Sequence, residues 1–148
     1  MTLMTSREYV IEVLGGPKVF KGRTAPTATE LRDRVRTGLP YQSLESIRER
    51  LKLSLPEAAI LLNVPLRTLA RRRHGRKLDA GESDRLYRLA RIAGQAVAVL
   101  GTNEKAAAWL RRPNRSLNGE LPLALMDTDL GARQIEDVLG RIQHGVVS

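Results

Sequence analysis

Ser54-Leu-Pro-Glu-Ala-Ala-Ile-Leu-Leu-Asn-Val-Pro-Leu-Arg-Thr-Leu-Ala-Arg-Arg-Arg73 reads as a helix, a tight turn and a second helix loaded with arginine. Ser54 suits the N-cap, where its hydroxyl can accept from an otherwise unpaired N–H of the first turn. Pro56 falls within that turn, where its missing N–H costs nothing and its fixed φ suits a helix. Asn63 tolerates the left-handed backbone of a short bend, and Pro65 stops the first helix from running on. A new helix begins near Leu66. At 3.6 residues per turn Leu66, Leu69, Ala70 and Arg73 share one face, which is expected to pack, and Arg67, Thr68, Arg71 and Arg72 share the other. Ala59 is small enough to let the two helices cross closely. Arg72 stands where an apolar residue would complete the packing, which predicts a second helix that is short or rotated.

The formal net charge of +9 is unevenly spread along the 148 residues. Residues 1–45 carry +2, residues 46–93 carry twelve basic against five acidic side chains, and residues 94–148 balance at zero. A basic excess concentrated on one module is the electrostatic footprint of phosphate binding, so DNA is the expected partner. Arg67, Thr68 and Arg71 are placed to face base edges, because arginine donates two bonds to guanine and the threonine methyl suits thymine. Arg72, Arg73, Arg76 and Lys77 suit phosphates, which fix register without carrying sequence information.

Around this module everything reads as helix, and the predicted fold class is all-α. A short apolar helix falls around Tyr9–Leu14, a turn-rich stretch follows to Pro26, and a helix spans Thr29 to Thr37. Ser43 is the expected cap of a helix bearing Leu44, Ile47 and Leu51 on one side. Asp79 and Glu82 have capping-box spacing ahead of a long helix whose stripe is Leu86, Leu89, Ala90, Ala93, Val97 and Leu100, ended by Gly101. That helix is expected to bridge two halves. Beyond it come a helix at Ala106–Leu110, with Trp109 read as core, a turn at Asn118-Gly119, a short helix from Pro122 to Met126, and a last helix capped by Asp129. In the last helix Ile135, Val138, Leu139 and Ile142 form a stripe that suits either a core or a partner. The expected division is an N-terminal helical segment over residues 1–40, a helix-turn-helix domain over 41–93 and a C-terminal domain over 94–148.

Several function classes are disfavoured. The absence of cysteine excludes disulfides and thiolate chemistry, and two histidines do not make a metal site. No nucleophile–base pair or glycine-rich phosphate loop is present, so no catalytic residue, metal or cofactor is expected. No run approaches the roughly 18 apolar residues of a membrane span, and Met1–Glu8 lack the pattern of a signal peptide, which points to the cytoplasm.

The ordered series Arg67-Thr-Leu-Ala-Arg-Arg-Arg73, Glu82-Ser-Asp-Arg-Leu-Tyr-Arg-Leu-Ala-Arg-Ile92, Ala107-Ala-Trp-Leu-Arg-Arg-Pro-Asn114, Leu117-Asn-Gly-Glu-Leu-Pro122, Asp127-Thr-Asp-Leu-Gly-Ala132 and Leu139-Gly-Arg-Ile142 resembles the Xre/MbcA/ParS antitoxins over about residues 38–148. The resemblance implies an antitoxin whose C-terminal domain binds a RES-domain toxin that consumes NAD and blocks its active site, while the helix-turn-helix represses the operon's own promoter. It implies a homodimer, a higher-order complex with toxin, and toxin contacts at Leu117, Gly119, Pro122, Gly131, Ile135, Val138, Leu139, Arg141, Ile142, Gly145, Val146 and Val147. On this reading Ile135→Arg or Leu139→Arg abolishes neutralisation and spares the fold. Asn118 departs from the glycine frequent there in the family, and the first forty residues match nothing in it and are open to a dimerisation role. The rival reading is a free-standing helix-turn-helix repressor whose C-terminal domain only dimerises; a chromosome-organising or cell-pole adaptor is more distant.

Overall fold

A computed structural model describes residues 6–21 and 26–145, and among these there are helices and turns but no strand. The order is α1 (Ser6–Val13), α2 (Pro17–Phe20), α3 (Ala28–Thr37), α4 (Tyr41–Leu51), α5 (Leu55–Leu62), α6 (Leu66–Arg71), α7 (Ala80–Leu100) and α8 (Asn103–Leu110). Two short 3-10 helices, η1 (Arg115–Leu117) and η2 (Pro122–Asp127), then lead into α9 (Asp129–Gln143). The all-α architecture, with the two halves joined by a long helix, is as the sequence predicts.

The structure has the expected N-cap at Ser54 and the expected capping box at Asp79, and adds to the first a partner not expected from the sequence, Glu57. Ser54 and Glu57 form a reciprocal capping box at the start of α5, and Asp79 and Glu82 form one at the start of α7. Asn63 ends α5 in the left-handed conformation at φ 54°, and Pro65 sets the start of α6. Two cap assignments move. Pro40, not Ser43, precedes the first residue of α4, and the buried Ser43 hydroxyl has no hydrogen-bond partner. At the last helix Thr128 takes the N-cap, its hydroxyl accepting from Gly131 N–H at 3.0 Å, and Asp129 becomes the first helical residue, paired with Arg133 at 2.9 Å. In both cases the residue with extended backbone is the cap, whichever side chain lies nearby. The turn-rich stretch after Gly16 also contains α2, which tucks Val19 and Phe20 into the core.

The long helix α7 is the centre of the molecule: α1, α3, α4, α5, α8 and α9 all pack on it. The crossing with α1 is close at Gly94, where an added Cβ would lie 3.2 Å from Tyr9 Cβ and Val10 N. Val10, Ile11 and Val13 of α1 and Leu14 just after it are buried, in one apolar cluster that runs on to Leu139 of α9. Residue 94 lies in the middle of α7.

Candidate nucleic-acid interface and partner-binding domain

The helix pair α5–α6 is locked from behind. Ala58 and Ala59 are buried at the crossing, and Leu69 is the single fully buried residue of α6. Arg85 of α7 donates to the Leu62 carbonyl at 3.0 Å, which satisfies one of the orphan carbonyls at the end of α5. The turn after α6 is fastened as well: Leu78 N–H donates to the Leu39 carbonyl at 2.9 Å, Pro40 and Lys77 form an isolated antiparallel bridge, and Leu39 N–H donates to the Ser83 hydroxyl at 2.8 Å. A short recognition helix is therefore held at both ends by the scaffold.

Arg67 and Arg71 are exposed on this helix and Thr68 is half-buried, so the three expected base readers lie on accessible surface. Arg73, Arg76 and Lys77 are exposed on the following turn. Arg72 differs from the sequence expectation of a phosphate clamp. Its guanidinium donates to the Lys77 carbonyl at 3.0 Å and to the Glu82 carboxylate at 3.2 Å, and Glu82 is only 5% exposed. A buried carboxylate needs a partner, and Arg72 supplies it while closing the turn. This explains why arginine stands where an apolar residue would complete the packing. Leu66, expected on the packing face, is instead 45% exposed.

The C-terminal domain is joined to the helix-turn-helix by direct polar contacts. Arg111, just past α8, donates to the carbonyls of Leu51 at 3.3 Å and Lys52 at 2.6 Å and to Glu57 at 3.0 Å. The Arg111 guanidinium beside Glu57, helped by the Ser54 N–H, holds that carboxyl down at about 2. From α7, Arg91 pairs with Glu136 at 2.8 Å, Gln95 donates to the Glu136 carbonyl at 3.2 Å, and Arg88 donates to the Met126 carbonyl at 3.2 Å. These bonds fix α9 and η2 against the shared helix.

The expected toxin contacts divide sharply. Ile135, Val138 and Leu139 are wholly buried inside the chain, and Leu117, Pro122 and Gly131 are buried too. Gly131 is there for close approach, since an added Cβ would collide with the Leu125 carbonyl where α9 meets η2. The stripe is thus core, and the expectation that an arginine at Ile135 or Leu139 spares the fold is overturned. Of that set Gly119, Arg141 and Gly145 are exposed and Ile142 is half-buried; Val146 and Val147 lie outside the described residues. Trp109 is half-buried against the core. Sequence reading passed over three exposed apolar side chains: Ile60 at 72%, Leu121 at 40% and Leu130 at 77%. Ile60 belongs to the largely apolar α5, Leu121 precedes η2 and Leu130 falls off the buried stripe of α9, and the packing shows all three uncovered. No cluster of side chains suited to a metal occurs among the described residues, and no helix there is long and apolar enough to cross a membrane.

Residues 30–91 match the family model of the antitoxin Xre-like helix-turn-helix domain, and residues 95–145 match that of the antitoxin Xre/MbcA/ParS C-terminal toxin-binding domain. Among curated proteins the chain is similar to an antitoxin Xre of Yersinia enterocolitica, with 35% identity over 131 residues that cover 86% of this chain and 87% of the relative. An antitoxin Xre of Photorhabdus laumondii is 34% identical, with 75% of this chain and 76% of the relative covered. One of Pseudomonas putida is 35% identical, with 78% and 72% covered.

Proposed function

The chain belongs to the Xre family of antitoxins, and from that premise we propose that its partner is a RES-domain toxin that consumes NAD, whose active site the C-terminal domain blocks. The helix-turn-helix binds the promoter of the same operon and represses it, so one cytoplasmic chain both neutralises and regulates. The observation that carries the regulatory half is the surface of α6 and its following turn, where Arg67, Arg71, Arg73, Arg76 and Lys77 are exposed on a firmly held scaffold. The choice of a RES partner is supported by the ordered resemblance running from Ala107 to Ile142.

Repression by such a module calls for a homodimer on a palindrome, with half-sites one helical turn, or ~34 Å, apart. The toxin contacts are drawn from the rim of the C-terminal domain: the exposed Gly119, Leu121, Leu130, Arg141 and Gly145 and the half-buried Ile142; Val146 and Val147, outside the described residues, are further candidates. The buried stripe of α9 acts indirectly by holding that rim in place.

The test is co-expression of the adjacent reading frame with and without the whole chain, following growth and cellular NAD, together with binding of the purified chain to its promoter. The expected result is arrest and NAD depletion by the neighbour alone, rescue by this chain, and a promoter complex that Arg71→Ala weakens. A harmless neighbour beside intact promoter binding favours the free-standing repressor.

A further inference from the structure

We propose that a groove rimmed by Arg7 of α1 and by Arg32 and Arg36 of α3 is a second DNA contact, which grips backbone phosphates flanking the stretch read by α6. The inference rests on the DNA-binding reading of the helix-turn-helix and extends it to a surface outside the α5–α6 pair.

Position is the first argument. The chain leaves α3 at Gly38, and Leu39 and Pro40 are at once paired through their backbone with Leu78 and Lys77. The C-terminal end of α3 is therefore fastened to the basic turn that follows the recognition helix. Arg36 lies two residues before Gly38, within about 8 Å along the chain. Arg32 is one helical turn further, about 6 Å along the axis. Arg7 faces both across a groove of about 380 Å³. Duplex DNA carries a negative charge every ~1.7 Å of its axis, so a surface this near to a phosphate-bound Lys77 meets the neighbouring phosphates. An acidic protein patch has no such continuity.

Availability is the second argument. About half of the arginines among the described residues are committed internally: Arg34, on the same helix, donates to the Val19 carbonyl at 2.9 Å and lies over the Phe20 ring, and Arg48, Arg72, Arg85 and Arg111 each bond a carbonyl. Among the described residues Arg7 and Arg36 make no ion pair or side-chain hydrogen bond. Arg32 meets Asp33 only at 3.9 Å, with both side chains mostly exposed, a pairing of little strength. Asp84 stands on the α7 wall, so the groove holds three positive charges against one negative. Tyr87 on the same wall offers a phenol that can donate to a phosphate oxygen.

The experiment measures binding of the full chain to duplexes from its own promoter across a salt series. It compares the wild type with Arg7→Gln/Arg32→Gln/Arg36→Gln, and uses Arg71→Ala as reference. The triple variant is expected to keep its circular dichroism melt, to weaken on all duplexes alike, and to lower the slope of log affinity against log salt by about 2 to 3, at roughly 0.9 per phosphate. Trimming the duplex flanks should weaken the wild type and leave the variant unaffected. Arg36→Lys should keep the slope, since a phosphate accepts either charge. An unchanged slope and unchanged length dependence in the triple variant, alongside weakened binding by Arg71→Ala, overturns the groove and leaves the DNA reading standing. If the wild type binds no duplex, the DNA reading itself falls and the groove with it.

Discussion

Helices α6 and α9 both mix apolar and charged residues with helical spacing, and the chain puts them to opposite use. Over its six residues α6 buries only Leu69 fully and turns its arginines outward. Over its fifteen residues α9 buries Gly131, Ala132, Ile135, Val138 and Leu139, and most of its charged side chains ride on the back. Surface charge on α6 can therefore change without touching stability. On α9 the apolar stripe is stability itself, and partner recognition must come from residues beside it. A helix held by neighbours is free to spend its surface on a ligand; a helix that closes the core is not.

The sharpest way to break that contrast is Ile135→Ala. It should cost about 2–5 kcal/mol, the range for truncating a fully buried aliphatic side chain, and a thermal melt together with promoter binding should show both activities failing in step. Partner binding lost with the melt unchanged would return the stripe to the interface. Arg72→Ala comes next at about 3 kcal/mol, because it leaves the buried Glu82 carboxylate without its counter-ion, held only by the Asp79 N–H, whereas Arg73→Ala one residue on should leave the urea midpoint where it is. Arg67→Ala or Arg71→Ala should weaken promoter binding by about 1–3 kcal/mol, the worth of a good bidentate base contact, with no shift in melting.

Smaller effects sharpen the comparison at the joint between the two halves. With its carboxyl held near 2 against an ordinary 4.5, Glu57 contributes stability that is complete above about pH 4.5 and is lost as pH falls toward 2. The pair is partly exposed, so its contribution is at most about 1 kcal/mol. Arg111→Gln should reduce the difference between urea midpoints measured at pH 6 and pH 3. Least of all on the fold, Leu130→Ser should shift stability by less than about 0.5 kcal/mol, since the side chain is 77% exposed, while lowering toxin affinity in a pull-down titration. Unchanged affinity would move the contact surface away from the start of α9.

The Ser54 cap, the Asp79–Glu82 capping box, the left-handed Asn63 and the ends of α7 were legible because each depends on residues within one turn of the chain, and local hydrogen bonding decides them. The exposed arginines of α6 were legible for the same reason. The role of Arg72 was not, because its partner Glu82 is ten residues away across a turn whose closure no spacing rule encodes. Nor was it legible whether the stripe of Ile135, Val138 and Leu139 closes this chain's own core or awaits a partner, since the same periodicity serves both.

By itself the sequence determined the helical class, the order of the longer helices, the concentration of positive charge on one module and the resemblance that names its family. These follow from short-range chemistry: caps, turn residues, periodicity and composition. Tertiary structure alone decided which arginines are spent on carbonyls and carboxylates inside the chain and which are left for a ligand, and which stripe becomes core. Burial is a property of what packs opposite, and here that is mostly α7, whose long face collects α1, α3, α8 and α9 from distant parts of the chain.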